Sequence, residues 1–260
     1  MIILLNSSKT LDMQLPARLS KHSMPEFSAE CAILVKALRK LSVSELATLM
    51  GISEKLAVLN VERYRDWQTR PGPANAKQAL LAFKGDVFEA MDIESYAAKD
   101  FDFAQQHLRI LSGLYAVLRP LDLIQPYRLE MATRLSADGS QNLYDFWADK
   151  ILDSLGDLLR REKSGTLVNL ASLEYFKAVG ADRLKATVIT PVFKEQRGSS
   201  YRVVAIYAKR ARGRICDFII RNRIRQPEKV KSFDSDGYRF RADMSTDTQW
   251  VFVRRHKKDR

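Results

Sequence analysis

Five short segments set basic and acidic side chains where apolar runs stop, the kind of place where scaffolds carry binding and catalytic groups. Ser7-Ser8-Lys9-Thr10-Leu11-Asp12 follows the apolar residues 1–5, and Phe83-Lys84-Gly85-Asp86 follows Ala79-Leu80-Leu81-Ala82. Arg119-Pro120-Leu121-Asp122 and Tyr127-Arg128-Leu129-Glu130 each hold an arginine near an acid, and Glu174 precedes Lys177 in the same way. Taken singly, each is a surface turn whose ion pair contributes about 0–1 kcal/mol. Brought into one cleft, Lys9, Thr10, Asp12, Lys84, Asp86, Arg128, Glu130 and Lys177 would hold a small anion and offer acid–base chemistry on it. The first segment has no P-loop glycines, so nucleoside triphosphate binding by that route is not expected.

No established catalytic signature accompanies these groups. The chain has no G-x-S-x-G elbow and no Rossmann fingerprint. His22, His107 and His256 are scattered, without HxH, HExxH or paired Cys/His spacing, so neither a metal site nor a cofactor is expected. His107, between Gln106 and Leu108-Arg109, reads as a surface residue. Cys31 and Cys216 lie far apart outside any CxxC, which suits a reducing cytoplasm, and both sit among apolar neighbours as core thiols do.

A second chemistry is suggested by charge. Lys+Arg 43 against Asp+Glu 31 gives 260 residues a formal net charge of +12, which calls for a polyanionic partner. The densest basic run is Tyr207-Ala208-Lys209-Arg210-Ala211-Arg212-Gly213-Arg214. Continued to Arg225 it predicts a helix with Ala211, Ile215, Phe218, Ile219 and Asn222 on its inner face. Its other faces carry seven cations against the single acid Asp217, an asymmetry that favours contact with a polyanion.

Residues 46–59 predict two short helices joined at Met50-Gly51-Ile52-Ser53. Gly51 can adopt the positive φ that ends the first, and Ser53 caps the second. Such a turn aims free N–H groups at an anion, with Lys55 one turn in, and Leu56, Leu59 and Tyr64 are expected on the apolar side. Met50, Gly51, Ile52, Ser53 and Lys55, with Lys209, Arg210, Arg212 and Arg214, are the candidate contacts to a DNA backbone. The same string is also an ordinary αα-turn in a helical layer.

The surrounding elements mix types. Residues 1–6 form a buried strand, and the Ser23-Met24-Pro25-Glu26 capping box starts a helix over 27–41. Ser42-Val43-Ser44-Glu45 repeats the box. Helices are expected over 100–113 and 143–160, and strands over 166–170 and 251–253. Residues 187–194 and 201–207 read as a hairpin. Irregular interleaving without βαβ spacing indicates an α+β fold, a mixed sheet with surrounding helices in a single domain of 1–260. No apolar run reaches the roughly 20 residues of a membrane span.

The segment 111–131, Leu-Ser-Gly-Leu-Tyr-Ala-Val-Leu-Arg-Pro-Leu-Asp-Leu-Ile-Gln-Pro-Tyr-Arg-Leu-Glu-Met, closely resembles the hallmark of the YaaA family of bacterial peroxide-stress proteins. Ser8-Lys9-Thr10-Leu11-Asp12, Ala82-Phe83-Lys84-Gly85-Asp86-Val87, Asn169-Leu170-Ala171-Ser172 and Glu174-Tyr175-Phe176-Lys177 match it too. Pro191-Val192-Phe193, residues 207–213 and Gly237-Tyr238 complete the order. The resemblance implies a cytoplasmic protein that limits hydrogen-peroxide damage and is associated with restraining unincorporated iron. It further implies a family-specific mixed fold with a basic cleft, and double-stranded DNA binding through a helix-hairpin-helix. Ser7-Ser8 stand where the family has Pro-Ala before the lysine, and Met50 and Ser53 replace the Pro and second Gly of the general hairpin. Residues 111–115 form a second candidate hairpin. The expected partners are duplex DNA, or a small anion if the cleft is an enzyme's, and the expected state is a monomer without membrane contact.

Overall fold

A computed structural model describes residues 1–14, 19–163 and 165–255. His256 lies outside the described residues. In chain order, β1 (Ile2–Asn6) and β2 (Thr10–Leu11) lead into α1 (Ser28–Leu38), α2 (Val43–Met50) and α3 (Glu54–Asp66). Next come β3 (Lys77–Gln78), α4 (Ala79–Ala82), β4 (Phe83–Lys84), α5 (Asp86–Glu89) and α6 (Ala98–His107). β5 (Leu108–Ser112), β6 (Ala116–Leu118) and β7 (Leu123–Ile124) precede the long α7 (Leu143–Glu162), then β8 (Thr166–Asn169) and α8 (Leu173–Phe176). β9 (Thr187–Arg197), β10 (Ser200–Arg202), α9 (Ala205–Arg221), β11 (Arg239–Phe240) and β12 (Gln249–Arg255) close the order.

The main sheet runs β11-β12-β9-β8-β1-β5-β6, with β10 added on β9. Its central five strands are parallel, and β6, β10 and β11 are antiparallel additions. The expected α+β class and mixed sheet are therefore observed. β1 is central, and Ile2, Ile3, Leu4 and Leu5 are buried, as a strand covered on both faces must be. Helices complete the core through Trp147, Leu155, Ile215 and Ile219.

Several local expectations fail for identifiable reasons. The helix predicted over 100–113 ends at His107, and 108–112 is a strand in parallel register with β1 (Ile3↔Leu108, Asn6↔Leu111). Leu108 and Leu111 fit a helical spacing equally well; the ladder to β1 decides between the two. The second candidate hairpin at 111–115 is accordingly the turn between β5 and β6. A Cβ on its Gly113 would overlap the Leu129 carbonyl oxygen and lie 2.9 Å from the carbonyl carbon. The capping box at Ser23 does not form: Ser23 Oγ donates to Asp122 Oδ1 at 2.6 Å, and α1 begins at Ser28. The box at Ser42 and Glu45 does form. α9 starts before Tyr207, so the strand after the 198–199 turn stops at Arg202.

α2 and α3 meet at Gly51, whose φ of 60° is left-handed, and Ser53 Oγ accepts from Leu56 N. The face of α3 that packs is Ala57, Asn60 and Tyr64; Leu56 and Leu59 are exposed instead. Tyr64, whose hydroxyl donates to Arg128 O, sets that register. His107 is buried rather than superficial. Its Nδ1 lies 3.1 Å from Met1 O and 3.2 Å from Glu162 Oε2. Both cysteines are buried, as expected, and burial pushes both thiols up.

Candidate functional site

The carboxyl ends of parallel strands are where open sheets form crevices. Here β1 delivers Asn6, Ser7, Ser8 and Lys9, and the turn after β8 delivers Ser172, Glu174 and Tyr175. Asn6 ties the two ends together by accepting from Ser172 N at 2.8 Å. β2 pairs with β4, Thr10 opposite Lys84, which carries Lys84, Gly85 and Asp86 to the same mouth. α9 supplies Lys209 and Arg212, and Glu130 arrives from the 125–135 segment. The result is a cleft of about 430 Å³.

Gly213 positions the α9 wall. A Cβ there would overlap the Val87 carbonyl oxygen and lie 3.0 Å from Ala90 Cβ, so α9 crosses α5 at backbone contact. Arg212 is thereby set beside Asp86 and Lys84 in the lining.

Four cations (Lys9, Lys84, Lys209, Arg212) face three carboxylates (Asp86, Glu130, Glu174). Glu130 is already neutralised by Lys9 at 2.7 Å and Arg128 at 2.9 Å. Glu174 accepts from Ala132 N at 3.2 Å. Among the described residues, Arg212 and Lys209 have no ion pair, and burial lowers the Arg212 pKa. A desolvated guanidinium without a carboxylate partner is an anion site in waiting. Burial pushes the Tyr175 phenol up to about 12, so it stays protonated; its oxygen accepts from Ser7 Oγ at 3.3 Å.

Of the eight cleft candidates, Lys9, Lys84, Asp86 and Glu130 line the cavity. Thr10, Asp12, Arg128 and Lys177 are not part of its lining. Asp12 lies 3.7 Å from Lys84 and 3.5 Å from Lys77, and an accepted hydrogen bond from Gln14 N, with those lysines, lowers its pKa. Lys177 sits over the Tyr144 ring. Lys209 and Arg212, nominated as DNA contacts, line the cleft as well. Ser172 and Tyr175 were not among the site candidates although they lie in two of the family-matching segments, which is the signal that could have found them. Lys77, paired with Asp12, is a lone lysine in a short strand and carries no sequence signal of its own.

The basic run divides. Its C-terminal half is paired, mostly from other elements: Arg214 with Asp236 at 3.9 Å, Arg221 with Asp92 and with Asp217 of its own helix, Arg223 with Asp100. Arg210 is exposed at the N-terminal half. Met50 and Ile52 pack partly against the core, whereas Gly51, Ser53 and Lys55 are exposed. Ser53 lies eleven residues before Tyr64, so the turn stands roughly 16 Å along α3 from the Arg128 contact. The turn and the cleft are separate places on the molecule.

A larger depression of about 850 Å³ between α1, α2 and residues 134–138 contains none of these candidates. Among the described residues, no group of three or more His, Cys, Asp or Glu is placed to hold a metal ion, and no helix is long and apolar enough to cross a membrane.

Fold and site define a mixed-sheet protein with a charged cleft at the ends of its central strands. The chain belongs to the family described as peroxide stress protein YaaA, whose model matches residues 1–244. It is 51% identical to a UPF0246 protein of Ralstonia nicotianae over 255 residues, covering 98% of this chain and 99% of that protein. A UPF0246 protein of Teredinibacter turnerae is 48% identical over 98% of this chain and 100% of its own length. One from Ralstonia pickettii is 49% identical, with 98% and 99% covered.

Proposed function

We propose that this peroxide-stress protein acts through a small phosphate-bearing molecule held in the cleft, on which its carboxylates can do acid–base work. The observation that carries this reading is Arg212, partly buried at the lining with no carboxylate partner among the described residues. Lys209, three residues earlier on the same helix, adds a second unpaired cation, and Lys84 faces them from β4. Asp86 and Glu174 have no cationic partner among the described residues, which leaves them able to accept a proton from a bound ligand. The convergence also weighs against the cleft as a groove for duplex DNA, since three carboxylates would repel a phosphate backbone.

Binding of ribose 5-phosphate or inorganic pyrophosphate, measured by calorimetry, tests the reading. A hydrogen bond to a charged group contributes about 1.5–3 kcal/mol, so Arg212→Ala should weaken binding by about ten- to a hundredfold. Equal affinity in wild type and variant would refute it.

Duplex DNA binding is a second reading, favoured by the exposed turn. Gly51 is left-handed with open space where a Cβ would stand, and Lys55 is exposed beside it. Binding through the backbone would be indifferent to sequence and fall steeply with salt. Gly51→Val with Lys55→Glu should weaken it; a salt-insensitive affinity, or an unaffected double variant, would count against it. Either activity would act in the cytoplasm to limit iron-dependent peroxide damage. A deletion strain complemented with the Arg212→Ala or the turn variant tells which site carries peroxide resistance.

A further inference from the structure

A second chamber of about 440 Å³ opens beside the cleft, and Lys84 and Phe88 belong to the linings of both. The two chambers therefore share a wall at β4 and α5. Gly85, with φ of 108°, turns the chain at this point; a Cβ on it would lie 3.0 Å from Ser8 Oγ.

The chambers differ in chemistry. The first has the unpaired cations. The second is lined by the buried Leu80, Leu81, Phe83 and Met91 together with charged groups that include the carboxylates of Glu89 and Glu94. Its guanidinium, Arg214, is paired with Asp236, and a third acid, Asp92, is paired with Arg221. Glu89 is exposed, and its carboxylate has no hydrogen-bond or ion-pair partner among the described residues. A carboxylate only accepts, so a ligand reaching it must bring a donor. The ligand must then carry an anion at one end and an apolar body with an N–H donor at the other. Pockets of 300–1,000 Å³ hold ligands of that size.

We infer that the paired chambers bind a nucleoside monophosphate whose base has an exocyclic amine, with its phosphate at Lys209 and Arg212 and its base between Phe83, Met91 and Glu89. This rests on the anion-binding reading of the cleft and adds the identity of the bound class. AMP and CMP present the amine; IMP and UMP put at that position a carbonyl whose lone pairs the carboxylate repels, keeping a ring N–H only beside it; ribose 5-phosphate has no base.

Calorimetry on the full chain with these five probes tests the assignment. AMP or CMP should bind at least tenfold more tightly than ribose 5-phosphate, and at least tenfold more tightly than its own carbonyl counterpart. Glu89→Gln, which can donate as well as accept, should bring that second ratio near one while leaving ribose 5-phosphate unchanged. Arg212→Ala should weaken all five. If every nucleotide binds only as well as ribose 5-phosphate, the second chamber does not hold the base and the inference fails while the anion site stands. Equal binding of amine and carbonyl members, or a Glu89→Gln variant with the wild-type ratio, overturns the recognition of the amine. If no probe binds, the anion site itself is wrong.

Discussion

Replacing Gly213 by alanine tests whether α9 truly crosses α5 at backbone distance. The new Cβ would overlap the Val87 carbonyl oxygen and lie 2.9 Å from its carbon and 3.0 Å from Ala90 Cβ. Carbon atoms are best placed at about 3.5–4.0 Å, so the two helices must separate by at least half an ångström. The obstructing atoms are mostly backbone, which no rotamer change can remove, so the cost belongs at the upper end of overpacking, about 3 kcal/mol. Alanine gains about 1 kcal/mol of helix propensity in return. The net expectation is a loss of about 2 kcal/mol. Gly156 in α7 is the control: its nearest neighbour would be Arg160 Nη1 at 3.5 Å, an ordinary contact with a mobile side chain. Gly156→Ala should therefore stabilise by up to about 1 kcal/mol. Urea unfolding followed by circular dichroism should show opposite shifts for the two variants. Ribose 5-phosphate binding should weaken only in Gly213→Ala, because displacing α9 displaces Arg212. If Gly213→Ala raises the unfolding midpoint as Gly156→Ala does, the close crossing, and the cleft wall built on it, are wrong.

Lys84→Ala should weaken pyrophosphate binding about tenfold or more, whereas Lys177→Ala, outside the cleft lining, should change it less than twofold; both are read by calorimetry. Burial pushes the His107 imidazole below its ordinary value near 6.5, so the unfolded chain takes up a proton that the folded chain resists. Stability contributed by His107 is then complete above that value and is lost as pH falls below about 6.5. Wild type should lose more stability than His107→Gln between pH 7.5 and 5.5; parallel losses would refute the buried placement. Cys31 and Cys216 are buried, with Cys31 Sγ donating to Leu114 O at 3.0 Å, so neither should react with a thiol reagent before unfolding. A Cys31→Ser, Cys216→Ser variant that folds should still protect cells from peroxide.

What could be read from the chain alone depended on whether a residue's partner was local. β1, β8 and β12 were visible as apolar runs, and the Ser42–Glu45 box caps a helix within its own four residues. Residues 108–112 were not, because only the ladder to β1, a hundred residues away, makes them a strand. The same distance dependence governs the site. The seven cations of residues 209–225 were plain, but Asp92, Asp100 and Asp236, which pair with three of them, come from other elements. Charge asymmetry along one helix therefore overstated its free positive charge. Lys9, Lys84, Asp86 and Glu130 could be nominated by type and position. That Lys209 and Arg212 line the cleft with them follows from Gly213 meeting Val87, a contact across more than a hundred residues.

The central place of β1 has a consequence for synthesis. Its partners are β5, through Ile3↔Leu108, and β8, through Ile2↔Leu167, so the most apolar strand is made well before either neighbour exists. At ribosomal rates of about 5–20 residues per second, some 165 residues separating Ile2 from Leu167 take roughly 8–33 s. For roughly the first two-thirds of that time, until β5 is made, Ile2, Ile3, Leu4 and Leu5 have no strand to pair with, and parallel pairing across such separations is intrinsically slow. A nascent chain stopped before β5 should accordingly recruit a chaperone at Ile2, Ile3, Leu4 and Leu5, where the completed protein offers nothing to bind.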